Sequence, residues 1–172
     1  MKQSTRINTF YKILLMFLAL TATLEVLVEA VGEHIIQLEA DIIVAVLGAV
    51  CIKTLSTAPG TVTIIGDKEV VTLVLTDECI GVYSLAVYAG LVLLTPLISS
   101  RDKAYALSFG LPFLFLLNTV RIAFAGLIGA YMGGPWFRIA HDVVGGGIMV
   151  VAVTLTWLDW VRRSMSLEPA NP

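Results

Sequence analysis

The sequence predicts a mainly α-helical, polytopic membrane protein with about four to five transmembrane helices and a short extracytoplasmic β-hairpin placed just before a cysteine. Three observations lead there. Of the 172 residues, 58% are hydrophobic and 14% charged, against about 45–50% and about 25% in soluble domains. The apolar residues fall into long runs, and mean hydropathy is +0.90. Between two of these runs, near residue 60, the pattern changes to short β-branched stretches bracketed by glycines. The net charge of -2 is small and the basic residues are dispersed, which gives nucleic-acid binding no support. No repeat or long linker divides the chain, so residues 1–172 are expected to form one membrane domain. It has a cytoplasmic lead-in at 1–9, the hairpin at 58–78 and a polar tail at 164–172.

Residues 10–31 are long enough to cross, because a helix rising ~1.5 Å per residue needs roughly 20 residues for ~30 Å of hydrocarbon. Lys2, Arg6 and Lys12 lead into this run, as in a signal peptide, but the run is long and lacks a convincing small-residue cleavage site. It is read as retained. Glu25 and Glu29 lie four apart on one face near its far end; they either mark the outer interface or pair with a buried arginine. From Glu33 to Asp41 the chain reads as a polar turn containing His34, an interface residue. Residues 42–55 form an apolar run too short to span comfortably, suited to a re-entrant or interfacial helix, or to a full span if it recruits residues 35–38, with Cys51 as a small buried hydrophobe.

The β-branched stretches at 62–65 and 70–75 flank Gly66-Asp67-Lys68-Glu69, and Pro59-Gly60 opens the segment; this pattern predicts a hairpin. Open strands cannot face lipid, so the hairpin belongs in water or at the interface. It delivers Asp77-Glu78-Cys79 to the start of a span predicted over 79–98. A second span begins at Ala104 and continues past Asn118 and Arg121 to about Tyr131. After the Gly133-Gly134-Pro135 break and the amphipathic Trp136-Phe137-Arg138, a third runs over 141–160.

Lys2, Arg6, Lys12, Arg101, Lys103, Arg162 and Arg163 are seven of the eleven basic residues, and they occupy the N-terminal lead-in, one short loop and the C-terminal tail. Cytoplasmic segments carry such an excess. With Arg101 and the C-terminus inside, Cys79, Arg121 and His141 all come to the outer side. The early segments conflict with this orientation, because an internal N-terminus and an external hairpin need an odd number of crossings before residue 60. Two solutions are four spans with 42–55 embedded from outside, or five spans with the N-terminus outside.

Three chemically able side chains therefore meet at one depth. A cysteine attacks as the thiolate, which a helix N-terminus and nearby cations favour; Asp77 and Glu78 act against it. His141 suits proton relay. Arg121 does not deprotonate, so it suits an oxyanion or the thiolate itself.

Cys79-Ile80-Gly81 at the mouth of a span, Asn118-Thr119-Val120-Arg121-Ile122, and His141 ahead of a glycine-rich helix start, preceded by the strand pair, resemble the exosortase/archaeosortase family. The resemblance covers roughly residues 42–160. It implies a membrane-embedded cysteine protease-transpeptidase that cuts secreted proteins near a hydrophobic C-terminal sorting tail and transfers the acyl group to a cell-surface acceptor such as a membrane lipid. By that resemblance Cys79 is the nucleophile, Arg121 the transition-state stabiliser and His141 the acid/base. Ile80 and the short chain lean towards an archaeal-type, minimal-core member. Asn118, one turn before Arg121, either orients Arg121 or a substrate carbonyl, or makes a polar helix contact. Gly81 lets backbone or substrate approach closely, and Gly145-Gly146-Gly147 favours close helix packing. No metal or cofactor is expected. Two other readings are a protease without transfer, and a transporter subunit or scaffold in which Arg121, Glu25 and Glu29 form a structural network.

Overall fold

A computed structural model describes residues 2–67, 69–76, 79, 81–96 and 98–166. Asp77, Glu78, Ile80 and most of the polar tail lie outside the described residues, as do the side chains of much of the first 28 residues, Glu25 among them.

The first helix, α1, runs without interruption over Lys2–Ala49, roughly 70 Å at ~1.5 Å per residue. This corrects the expectation of a polar turn at 33–41 followed by a separate short helix. The residues between Glu33 and Leu47 include no glycine or proline, so polarity alone does not stop the helix. Gln37 Nε2 donates to Asp41 Oδ1 one turn on (2.8 Å), an i,i+4 pair that supports helix. Glu39, Ala40, Ile43 and Leu47 make the buried stripe of its C-terminal part.

Helix α1 ends in a Schellman motif: Ile52 N–H donates to Leu47 O (3.0 Å) and Cys51 N–H to Gly48 O (3.0 Å). Cys51 holds the left-handed position at φ 60. It is exposed rather than buried as expected, because the residue that reverses the chain points away from the core. Three antiparallel strands follow, β1 (Thr54–Leu55), β2 (Thr61–Ile65) and β3 (Val70–Val74), in the order β1-β2-β3. The hairpin expected from sequence is the β2–β3 pair, with Thr63 opposite Thr72; β1 adds a short edge.

Val62, Ile64, Leu73 and Leu75 bury one face of the sheet against Ala40, Ile43 and Leu47 of α1 and against Ile122, Ala123 and Ala130 of the later helix α3. The tip is pinned by Glu69 N–H to Ala130 O (3.3 Å), and Gly66 lies so close to Ala130 that a Cβ there would strike its carbonyl.

Helix α2 covers Val82–Leu94, about 20 Å long and thus shorter than the 79–98 span expected. Helix α3 (Ser100–Met132) is the spine of the molecule. Its start is capped by Ser99, whose Oγ accepts from Asp102 N–H (3.2 Å). Gly133 ends it, and α4 (Gly134–Arg138), a π-helical segment (Ile139–Gly145) and α5 (Gly146–Ser166) follow as one continuous rod. A second core joins Tyr88 and Val92 of α2, Ala106 and Leu114 of α3 and Val153 of α5. Gly110 makes the room, since a Cβ there would collide with the Tyr88 ring, whose hydroxyl donates to Ala106 O (3.1 Å).

Among the described residues, Ser100–Met132 and Gly134–Ser166 are long and apolar enough to cross a membrane. The chain is a membrane protein, mainly helical with a small sheet.

Candidate active site

The site lies midway along α3, between the two cores. Asn118 and Arg121 stand about one turn apart on it. Cys79 comes from the turn after β3, closed by Cys79 N–H to Thr76 O (2.8 Å), and half-buried against the first core. The turn resolves three residues before α2 begins, so Cys79 precedes the helix rather than opening it. His141 comes from the π-helical segment.

Gly81 links turn to helix at φ 70, where a side chain would be strained. A Cβ there would also press on the Asn118 carboxamide at 3.0 Å. The close approach expected of Gly81 is thus to Asn118. That carboxamide reaches two groups at once: Nδ2 donates to Cys79 O (2.6 Å) and to Glu39 Oε1 (3.1 Å). Asn118 is itself buried, 1% exposed.

His141 stands beside the Cys79 thiol, and its influence is the main one holding the thiol pKa below its ordinary value. Burial opposes it. The Thr76 hydroxyl, which donates to Sγ (3.4 Å), and the Thr76 backbone add to the lowering. Nδ1 of His141 pairs with Asp142 Oδ1 (2.8 Å). Phe137 stacks on the imidazole with centroids 5.5 Å apart and planes 18° from parallel. The imidazole is therefore fixed on one side by a carboxylate and on one face by a ring.

Arg121 is half-buried, and its charge interacts with Cys79, Glu39 and Asp142. Nη1 donates to His141 O (3.4 Å), while Nε has no hydrogen-bond partner among the described residues. Gly145 lets it pass, because a Cβ there would sit 2.8 Å from Arg121 Cδ. Gly146 and Gly147 have no neighbour within 4 Å of where a Cβ would stand, so of the three glycines only Gly145 serves a close contact. Beyond Arg121 an apolar cavity of about 430 Å³ extends between α3 and the α4–α5 rod, lined by residues such as Phe124, Ile128, Trp136 and Ile148.

Match to a family model for transmembrane exosortases extends over residues 3–158. The chain belongs to the transmembrane exosortase family. It matches no curated protein and no solved structure with significance. Exosortases are membrane cysteine peptidases and transpeptidases that act on secreted proteins bearing C-terminal sorting signals.

In this exosortase-family chain the structure brings together Cys79, Gly81, Asn118, Arg121 and His141. It does not bring Glu29 to them. Glu29 is exposed, ten residues before Glu39 on α1, and the side chain of Glu25 lies outside the described residues. The buried carboxylate beside Arg121 is Glu39, 0% exposed. Of the two readings given for Glu25 and Glu29, pairing with a buried arginine does not hold for Glu29, because the uninterrupted α1 carries the α3-facing position further along the chain. Sequence reading also passed over Asp142. The signals were present: Glu39 falls four residues before Ile43 and eight before Leu47, inside an apolar helical stripe, and Asp142 follows His141 directly.

Proposed function

We propose that this chain is a cysteine protease-transpeptidase that cuts the C-terminal sorting tail from secreted proteins and passes the acyl group to a cell-surface lipid acceptor. The observation that carries the proposal is the Cys79 thiol lying beside His141, whose Nδ1 is held by Asp142, with the Arg121 guanidinium close to both. In this reading the thiolate attacks the scissile carbonyl and forms a C–S bond. Arg121 donates to the oxyanion that develops there. The imidazolium of His141 gives its proton to the leaving amine as the C–N bond breaks, leaving a thioester. An acceptor hydroxyl or amine then attacks the thioester, His141 takes its proton, and the C–S bond breaks to return the thiolate. Water in place of the acceptor gives plain hydrolysis.

The chain is read as crossing four times: α1, the apolar segment 79–98 that contains the short α2, α3, and the α4–α5 rod. One helix before the hairpin satisfies the odd crossing number that an internal N-terminus and an external Cys79 require, and this supports a site facing outward. The decisive experiment co-expresses the protein with a secreted substrate bearing a hydrophobic, basic-ended C-terminal tail. Cys79→Ala is expected to remain folded and abolish processing; a normally processed substrate would end the nucleophile assignment. Lipid attached to the cut C-terminus distinguishes transfer from hydrolysis. If function instead survives loss of the thiol and fails on loss of Glu39 or Arg121, a structural Arg/Glu network is the better account.

A further inference from the structure

The carboxylate of Glu39 is fully buried, where an unpaired charge is strongly disfavoured, yet it is only half used. Oε1 accepts from Asn118 Nδ2 (3.1 Å) and from Thr119 Oγ1 (3.1 Å), while Oε2 has no hydrogen-bond partner among the described residues. Core packing does not call for such a group, since Ala40, Ile43 and Leu47 on the same stripe are apolar. What Glu39 does reach is a side chain that holds the backbone of the Cys79 turn. An amide nitrogen carries two protons, and Asn118 directs one to Glu39 and the other to Cys79 O (2.6 Å).

The amide can aim both only in one orientation. Were it turned over, its carbonyl oxygen would face both Glu39 Oε1 and Cys79 O, acceptor against acceptor. Gly81 lies against the same carboxamide, with the space for a Cβ 3.0 Å from it, so the turn on the other side is shaped to this orientation. Arg121, one turn along α3, also interacts electrostatically with Glu39.

We infer that Glu39 is a positioning residue for the reaction: from α1 it fixes the Asn118 amide, which clamps the Cys79 carbonyl and so holds the thiol against His141. This rests on Cys79 being the nucleophile. Its consequence is that a helix far from Cys79 in sequence sets the reactivity of that thiol.

The test reads reactivity without any substrate, so it can fail independently of the transpeptidase reading. The full-length protein in detergent micelles is treated with iodoacetamide at neutral pH, and alkylation of Cys79 is measured by mass spectrometry relative to Cys51, the exposed internal standard. Glu39→Ala and Asn118→Ala are each expected to lower the Cys79/Cys51 ratio about tenfold. The double variant should lie within about twofold of either single variant, because both cut the same connection. A merely structural Glu39 would lower folded yield and leave the ratio of the folded fraction unchanged. The inference is overturned by a folded Glu39→Ala with the parental ratio, by losses that multiply in the double variant, or by Asn118→Ala at the parental ratio. Should Glu39→Ala not fold, Glu39→Gln decides. Keeping the shape and an acceptor oxygen, it is expected to stay within about twofold of the parent while Asn118→Ala falls tenfold; a tenfold loss in Glu39→Gln overturns the clamp.

Discussion

At Cys79, the proposed nucleophile, the environment more than the residue sets the reactivity. The thiol pKa is lowered chiefly by the neighbouring His141, against the effect of burial, so thiolate should persist below the pH at which an ordinary thiol is protonated. Alkylation of Cys79 is expected to fall as pH drops through that lowered value, and His141→Phe should move the midpoint of the pH–rate curve upward. An unmoved midpoint would remove His141 from the activation of the thiol. Asp142→Asn should lower kcat by about tenfold with little change in KM. That is well short of the ~10⁴-fold seen for a buried orienting carboxylate, because the Asp142 side chain is 65% exposed. Cys51→Gly should stabilise the fold by about 1 kcal/mol, read from thermal unfolding in detergent, because a non-glycine in the left-handed region costs about that much. The proposed site residues Cys79, Arg121 and His141 are conspicuous in the sequence because each is a reactive side chain interrupting or ending an apolar run. Glu39 is not, since its polar segment resembles a turn, and a carboxylate in a turn needs no partner.

The elements differ in how much their sequence disclosed. The β2–β3 hairpin is plain, because β-branched runs around Gly66-Asp67 have few other uses. Helix α1 is not, because the hydropathy of its polar stretch suggests a turn, whereas what ends a helix is a breaker or a cap, and none stands between Glu33 and Leu47. The two descriptions of α1 make opposite forecasts for Glu33→Pro. In an unbroken helix it removes a backbone hydrogen bond and should cost about 3 kcal/mol; in a turn it would be nearly neutral. The turn before α2 is as demanding at a single position. Gly81→Ala meets both the positive φ and the Asn118 carboxamide, so it should reduce the alkylation rate of Cys79 as well as stability.

For the whole molecule, α3 is the shared wall of two cores: the sheet and α1 pack on its later half, α2 and α5 on its earlier half. The site falls at the seam, where loop, helix and π segment can each contribute one group. The proposed orientation predicts that a membrane-impermeant maleimide added to intact cells labels Cys79, and that Arg101→Cys is labelled only after permeabilisation. The reverse pattern would invert the topology. The sequence disclosed the class of the molecule through its apolar excess, but not the sharing of α3, which depends on the small residues Gly110 and Gly126. Each admits a large side chain, Tyr88 at the first, Ile64 and Leu73 at the second, and a run of apolar letters hides such fits. The π segment at Ile139–Gly145 has a further effect. Its i→i+5 bonding takes up one more residue per turn than an α-helix, which rotates everything after it by about 100°. The rotational phase of α5, and hence which of its residues meet α2 and which meet lipid, is therefore set at the same turn that carries His141. Deleting Val143 would return the rod to α-helical phase and force a choice: keep His141 beside Cys79 with α5 turned the wrong way, or keep α5 seated with His141 swung off.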